Sequence, residues 1–235
     1  MPPHERTARI VVRRALSARV TELVLEVPGP EPFRWSAGQY VTLHPEGGTG
    51  AHEGPLAYSI GSAWDGASPP RFALAIGPGS GADVLAPFAA GATLAIDGPF
   101  GAFTLPAAPG ALLVGAGTGV APLRAHAGEW LGRAGAGPLT LLAGARTAAE
   151  LLWHDEFETL AQNDARFFYA PSVSQPGPEW SGRTGHVQAH LAELVRRLPP
   201  GFLVRVCGAK AMVSGCLAAL HALGVADERI EAESF

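Results

Sequence analysis

The densest chemistry in the sequence lies in residues 112–123, LLVGAGTGVAPL. A hydrophobic run feeds directly into Gly115, Gly117 and Gly119, and a helical pattern starts near Val120. Glycines let the backbone approach a phosphate, and a helix N-terminus offers free N–H groups and the positive end of its dipole. Thr118 adds a hydroxyl donor. The spacing departs from the standard dinucleotide fingerprint, whose third glycine falls at Val120. The next hydrophobic run ends on Gly144-Ala145-Arg146, with no acid placed to hold a ribose hydroxyl. A nucleotide site of a different build is expected here, against the alternative of a tight turn that binds nothing.

Three further stretches could add to such a site. In VRVCGAKAM, residues 204–212, a strand pattern ends on Cys207-Gly208, at the sheet edge where ligands of open α/β sheets lie. The competing reading of Cys207 is a small buried hydrophobe. The final residues, IEAESF, could lay Glu233 or Phe235 across a site, or fray into solvent as termini often do. PLAYSIGSA, residues 55–63, reads as a strand carrying Tyr58, Ser59 and Ser62 into a Gly/Pro-rich loop, suited to a planar polar ligand. Other candidates are weaker. His186 and His190 share one helix face at i, i+4 but lack a third ligand, so surface histidines are the reading adopted. Residues 153–156, WHDE, read as an exposed helical face, and no Gly-x-Ser-x-Gly elbow supports hydrolysis.

The elements that must position these residues fall into two rhythms. Short strand patterns occupy 9–13, 20–27, 39–43, 57–61, 71–76 and 93–96, punctuated by Gly and Pro as in an antiparallel sandwich or barrel, with one helical hint at 82–88. After residue 106, strands at 111–114, 139–143, 166–170 and 203–207 alternate with helical patterns, among them 186–198 and 211–223. That alternation implies a doubly wound parallel sheet, joined to the first half through LPAAPG, residues 105–110. With 235 residues, 47% of them apolar and a formal charge of −4, the chain has a globular composition and gives no cause to expect nucleic acid or an acidic membrane surface as partner. Two cysteines are too few for a disulfide framework and match no metal pattern. No signal-like apolar region opens the sequence and no apolar run reaches membrane-span length, so the cytoplasm is the expected location.

The order of motifs resembles the ferredoxin–NADP reductase family over nearly the whole chain. Gly38-Gln39-Tyr40-Val41, Tyr58-Ser59, Gly77-Pro78-Gly79-Ser80 and residues 98–103, GPFGAF, match its flavin domain. Gly117-Thr118-Gly119-Val120-Ala121-Pro122, Gly144-Ala145-Arg146, Cys207-Gly208 and Glu233-Ser234-Phe235 match its nicotinamide domain. The resemblance implies a six-stranded antiparallel flavin-binding barrel over residues 1–105 and a nucleotide-binding α/β domain over 106–235. It also implies an NAD(P)H-dependent flavoprotein reductase: hydride passes from nicotinamide to flavin, FAD or FMN, and electrons go on to a separate acceptor such as a ferredoxin or oxygenase. Tyr58 would pack on the flavin and Ser59 would bond near its N5. Gly79, Ser80 and Gly81 would meet its phosphate. Gly117, Thr118, Gly119 and Arg146 would hold the dinucleotide, and Cys207, Gly208, Glu233 and Phe235 would flank the nicotinamide. Ser59, Cys207 and Glu233 are the expected catalytic residues, and no metal is expected.

Two departures qualify the match. Leu56 stands where the family's Arg-x-Tyr-Ser motif has its phosphate-binding arginine, and Ala209 replaces the proline of Cys-Gly-Pro. The first raises an alternative, a reductase of free, loosely held flavin, with Arg34, His44 or His52 as substitute cations. A non-catalytic binding module is the third reading. Ser174-Gln175, where NADPH users place Ser-Arg, favours NADH, although Arg146 and Arg183 remain available.

Overall fold

Six antiparallel strands form the first half: β1 (Arg6–Ala15), β2 (Thr21–Glu26), β3 (Tyr40–His44), β4 (Leu56–Ser59), β5 (Arg71–Ile76) and β6 (Thr93–Phe100). The computed structural model describes residues 6–45, 54–79 and 81–235. The strands run in the order β4-β3-β6-β1-β2-β5, and the Gly61 N–H closes the ends of the sheet on the Ala73 carbonyl at 2.8 Å. Side chains alternate across each strand, so Ile10, Leu23, Leu25, Val41, Leu43, Leu74 and Ile96 fill one interior. Phe33, Trp35 and Phe72 stack at centroid distances of 5.5–5.9 Å and extend that core. On the outer face, Arg9, Glu26 and Arg71 form a cross-strand row in which two guanidiniums hold the Glu26 carboxyl below the usual carboxylate range. The helical hint shrinks to one turn, α1 (Ala82–Leu85).

The second half is a parallel sheet of order β10-β9-β8-β7-β11-β12. Its strands are β7 (Ala111–Ala116), β8 (Leu139–Ala145), β9 (Phe167–Val173), β10 (Arg183–Thr184), β11 (Leu203–Gly208) and β12 (Ile230–Ser234). Its helices are α2 (Val120–Gly132), α3 (His154–Asn163), α4 (Leu191–Val195) and α5 (Lys210–Ala222). Successive residues of β7 serve opposite faces. Leu113 packs in the cluster with Leu123, Trp130 and Phe157 of α2 and α3, while Leu112 and Val114 pack with Leu194 and Leu220 of α4 and α5. Both faces are covered, as the continuous hydrophobic runs of a buried parallel sheet require. Each such leucine contributes on the order of 1.5–3 kcal/mol relative to exposure.

Two expectations need correction. The helix expected over 186–198 is a 3₁₀ turn, Val187–His190, followed by the short α4. The His190 ring lies 2.9 Å from Ser172 Oγ, which ties it to β9, so His186 and His190 share no helix face. Trp153 is not part of an exposed face: it is buried against the first half, whereas Asp155 and Glu156 are exposed as expected.

Candidate functional site

β7 leads into a 3₁₀ turn, Gly117–Gly119, and α2 begins at Val120 where the sequence pattern placed it. The glycines answer to different constraints. A Cβ on Gly119 would land on the Cys207 carbonyl, because the end of β11 crosses directly over the loop. A Cβ on Gly115 would stand 2.6 Å from Leu123 Cδ1, so this glycine lets α2 close on its own strand. Gly117 has φ 56 and open space beyond it, the form of a backbone left free for a ligand. Thr118 lies at the barrel: its Cγ2 would be 2.8 Å from a Cβ on Gly77. The dinucleotide-type loop therefore touches the Gly77-Pro78-Gly79 turn that precedes α1.

β4 approaches the same junction. In register, Ser59 pairs with Tyr40 and Tyr58 with Val41. Ser59 is half-buried, and Tyr58, 6% exposed, sits with Leu56 and Ile60 in the barrel cluster. Two residues on, Gly61 packs on Ala121 of α2. Gly79 (φ 81) faces open space, whereas Gly81 (φ 73), at the start of α1, is covered by Leu56, whose two Cδ atoms stand 2.5 Å from where a Cβ on Gly81 would be. Leu56 is 4% exposed, so an apolar side chain closes the entrance to that turn. Ser80 and His52 lie outside the described residues.

The third contribution comes from β11 and β12. Cys207 pairs with Gly115 on one side and with Glu233 on the other, and Gly208 pairs with Ser234. The chain end is therefore an edge strand rather than a frayed tail, with the Phe235 N–H on the Gly208 carbonyl at 3.3 Å and the Phe235 ring 69% exposed. Burial, reinforced by the Glu233 carboxylate, pushes the Cys207 thiol up to about 12, so it stays a neutral thiol. Burial and the neighbouring Glu231 raise the Glu233 carboxyl above its ordinary value. Arg146 stands exposed just past β8, and its carbonyl accepts the Gln175 N–H at 2.7 Å. Arg183 is engaged elsewhere, paired with Glu193 at 2.8 Å and stacked over Phe168.

Loop, turn, strand end and chain end thus meet where the barrel abuts the parallel sheet. Arg146 stands at the edge, beyond the end of β8. The arrangement offers exposed backbone and hydroxyls beside the buried neutral thiol of Cys207 and, among the described residues, no paired acid and base, and it suits holding two ring systems rather than hydrolysing a bond. Two residues at the junction, Glu22 and Arg124, escape the sequence reading, and a third, Trp153, enters it only as part of the WHDE face. Trp153 Nε1 donates to Glu22 Oε1 at 2.8 Å across 131 residues of chain, and Arg124 Nη1 donates to the Gly61 carbonyl at 2.6 Å.

Residues 113–217 match the family model described as an oxidoreductase NAD-binding domain. The chain is 42% identical over 220 residues to ferredoxin–NADP reductase B of Sorangium cellulosum, covering 88% of this chain and 87% of that one. It is 34% identical over 181 residues to the ferredoxin–NAD(+) reductase component of the alkene monooxygenase system of Xanthobacter autotrophicus, covering 75% of this chain and 53% of that one. Among solved structures, the cytochrome P450 reductase GcoB of Amycolatopsis superposes with a TM-score of 0.84 at 29% identity, over 98% of this chain and 69% of that one.

Proposed function

The chain belongs to the ferredoxin–NADP reductase family, and on that premise we propose how its own residues carry the activity. It is an NAD(P)H-dependent flavoprotein reductase that delivers electrons to a separate acceptor. A bound flavin would supply the acceptance of hydride from nicotinamide and the onward release of electrons. The division falls at residues 105 and 106, the barrel holding flavin and the parallel sheet holding the dinucleotide. Tyr58 and Ser59 carry the flavin ring on β4, and the backbone of Gly79 and Gly81 meets its phosphate. Gly117, Thr118 and Gly119 seat the dinucleotide pyrophosphate against the start of α2, and Arg146 lies beside its adenosine end. Cys207, Gly208, Glu233 and Phe235 flank the nicotinamide. The neutral Cys207 thiol places no formal charge beside the nicotinamide. Burial and the neighbouring Glu231 hold the Glu233 carboxyl above its ordinary value at the mouth of the site. The single observation that supports this reading is the contact of Thr118 with Gly77, which joins the two cofactor loops.

NADH is the preferred donor on this reading, because Gln175 offers no charge to a 2′-phosphate and Arg183 is spent on Glu193. FAD is the flavin, and a ferredoxin or an oxygenase component is the acceptor. Among the described residues no helix is long and apolar enough to cross a membrane, and two buried free cysteines suit the reducing cytoplasm.

Leu56 favours a second reading, in which flavin exchanges as a substrate. Its side chain covers Gly81 where a cation would meet phosphate, and a missing charge-assisted bond lowers affinity by about 1.5–3 kcal/mol, or about one to two decades. Desalting the purified protein and recording its visible spectrum tests both readings. A tight flavoprotein stays yellow, whereas an exchanging one emerges colourless and oxidises NADH only when flavin is added back. In the second case Leu56→Arg should lower the flavin dissociation constant by at least about tenfold. An unchanged constant contradicts the placement of β4 beside the phosphate.

A further inference from the structure

The flavin strand and the dinucleotide loop sit on different halves of the chain, so hydride transfer requires that one half be fixed against the other. Reacting atoms must approach within about 3–3.5 Å, and a displacement of about 1 Å can lower the rate by about a hundredfold. α2 is the rigid piece between them. It begins immediately after the loop at Gly117–Gly119, and one turn further on Arg124 reaches to the barrel. Arg124 Nη1 donates to the carbonyl of Gly61, two residues past Ser59, at 2.6 Å. Its Nε and Nη2 fork onto Glu156 of α3 at 2.7 and 2.9 Å. The Trp153 ring lies 5.0 Å from the guanidinium carbon. Trp153 Nε1 donates to Glu22 Oε1 of β2 at 2.8 Å, while Glu22 Oε2 accepts from Arg14 Nε of β1.

We infer that Arg124 and Trp153, braced by Glu22, are positioning residues that hold the flavin strand and the nicotinamide loop at the distance and angle of hydride transfer. Two features set this chain of contacts apart from ordinary packing between halves. Among the described residues Trp153 alone, glycines aside, has positive φ, at 53. A bulky aromatic stays in that region only when its surroundings over-determine it. Glu22 is 1% exposed, and a carboxylate so buried must keep its bonding partners. Apolar contact alone would let the halves slide, whereas the bond from Arg124 Nη1 to the Gly61 carbonyl and the indole N–H to Glu22 cross between them and fix one register, with the fork onto Glu156 holding the guanidinium in place.

The inference rests on the cofactor placement proposed above, and the test separates the two. FAD-saturated enzyme is mixed anaerobically with NADH and the bleaching of flavin absorbance is followed. Trp153→Phe keeps a ring under Arg124 and removes the indole donor; Arg124→Met removes the guanidinium. Both should lower the limiting rate by about tenfold to about a hundredfold. Both should leave the half-saturating NADH concentration and the flavin dissociation constant within about twofold. Both should also weaken the long-wavelength charge-transfer absorbance, and Arg124→Lys should restore part of the rate. Should Trp153→Phe fail to fold, Glu22→Met, which removes the acceptor of the indole N–H, carries the test with the same expected loss. Ser59→Ala runs alongside as the control on the site. If Ser59→Ala slows bleaching while the Trp153 and Arg124 variants keep the wild-type rate, the positioning role is overturned. If Ser59→Ala changes nothing, it is the cofactor placement that fails.

Discussion

His126 lies on α2, 1% exposed, wedged against Phe103 with ring centroids 5.3 Å apart, and among the described residues neither ring nitrogen has a hydrogen-bond partner of good geometry. Burial first, then the positive charges of Arg205 and Arg133, push its pKa from 6.5 down to about 3. The unfolded chain takes up a proton as the pH falls below 6.5, and the folded chain refuses it until about 3. The neutral ring therefore contributes stability above 6.5 that is lost progressively on acidification across that window, by about 1.4 kcal/mol per pH unit. Replacing it as His126→Leu should flatten the fall in urea-unfolding stability between about pH 6.5 and about pH 5 relative to wild type. Parallel curves for the two proteins would mean that the ring is not held neutral. Nothing in the residue pattern marks this role, since one histidine in an Ala/Gly-rich helix has no period to betray it. Leu56 was legible because its neighbours Tyr58-Ser59 set the frame, but its contact with Gly81 depends on a turn 25 positions away.

At the scale of elements, the loop from β7 to α2 shows why glycine spacing differs from the standard fingerprint. Gly119 is required by the crossing of β11 rather than by its own dihedrals, and Gly117 by its φ of 56 with open space around it. Gly119→Ala should therefore lower stability by up to about 3 kcal/mol and disrupt the seat of the dinucleotide, while Gly117→Ala should cost about 1 kcal/mol. Thermal unfolding of the two variants checks the order, and equal losses would contradict the close approach of the Cys207 carbonyl. The strands were readable from two-residue alternation in the first half and continuous hydrophobic runs in the second. The region 186–198 misled because helical composition is a weak prior, and the bond between Ser172 and His190 overrode it. IEAESF could have frayed, and only its pairing with β11 makes it part of the site.

Taken as a whole molecule, the two halves were separable by rhythm, and the order of short motifs carried the family. What joins the halves was hidden: Glu22 and Trp153 bond across 131 residues, and WHDE reads as a polar helix face until its partner is known. Phe103 and Leu105 close the first half yet pack in the core with Leu113, Leu123 and Trp130. The covalent link is thus also packed into the core of the second half, which ties the folding of one half to the other. The most direct test of hydride transfer from nicotinamide to flavin is anaerobic mixing of the FAD-saturated protein with NADH and, in parallel, NADPH, while visible absorbance is recorded. The flavin should bleach with both donors and faster with NADH, and a flavin spectrum that persists with both donors in excess would contradict it.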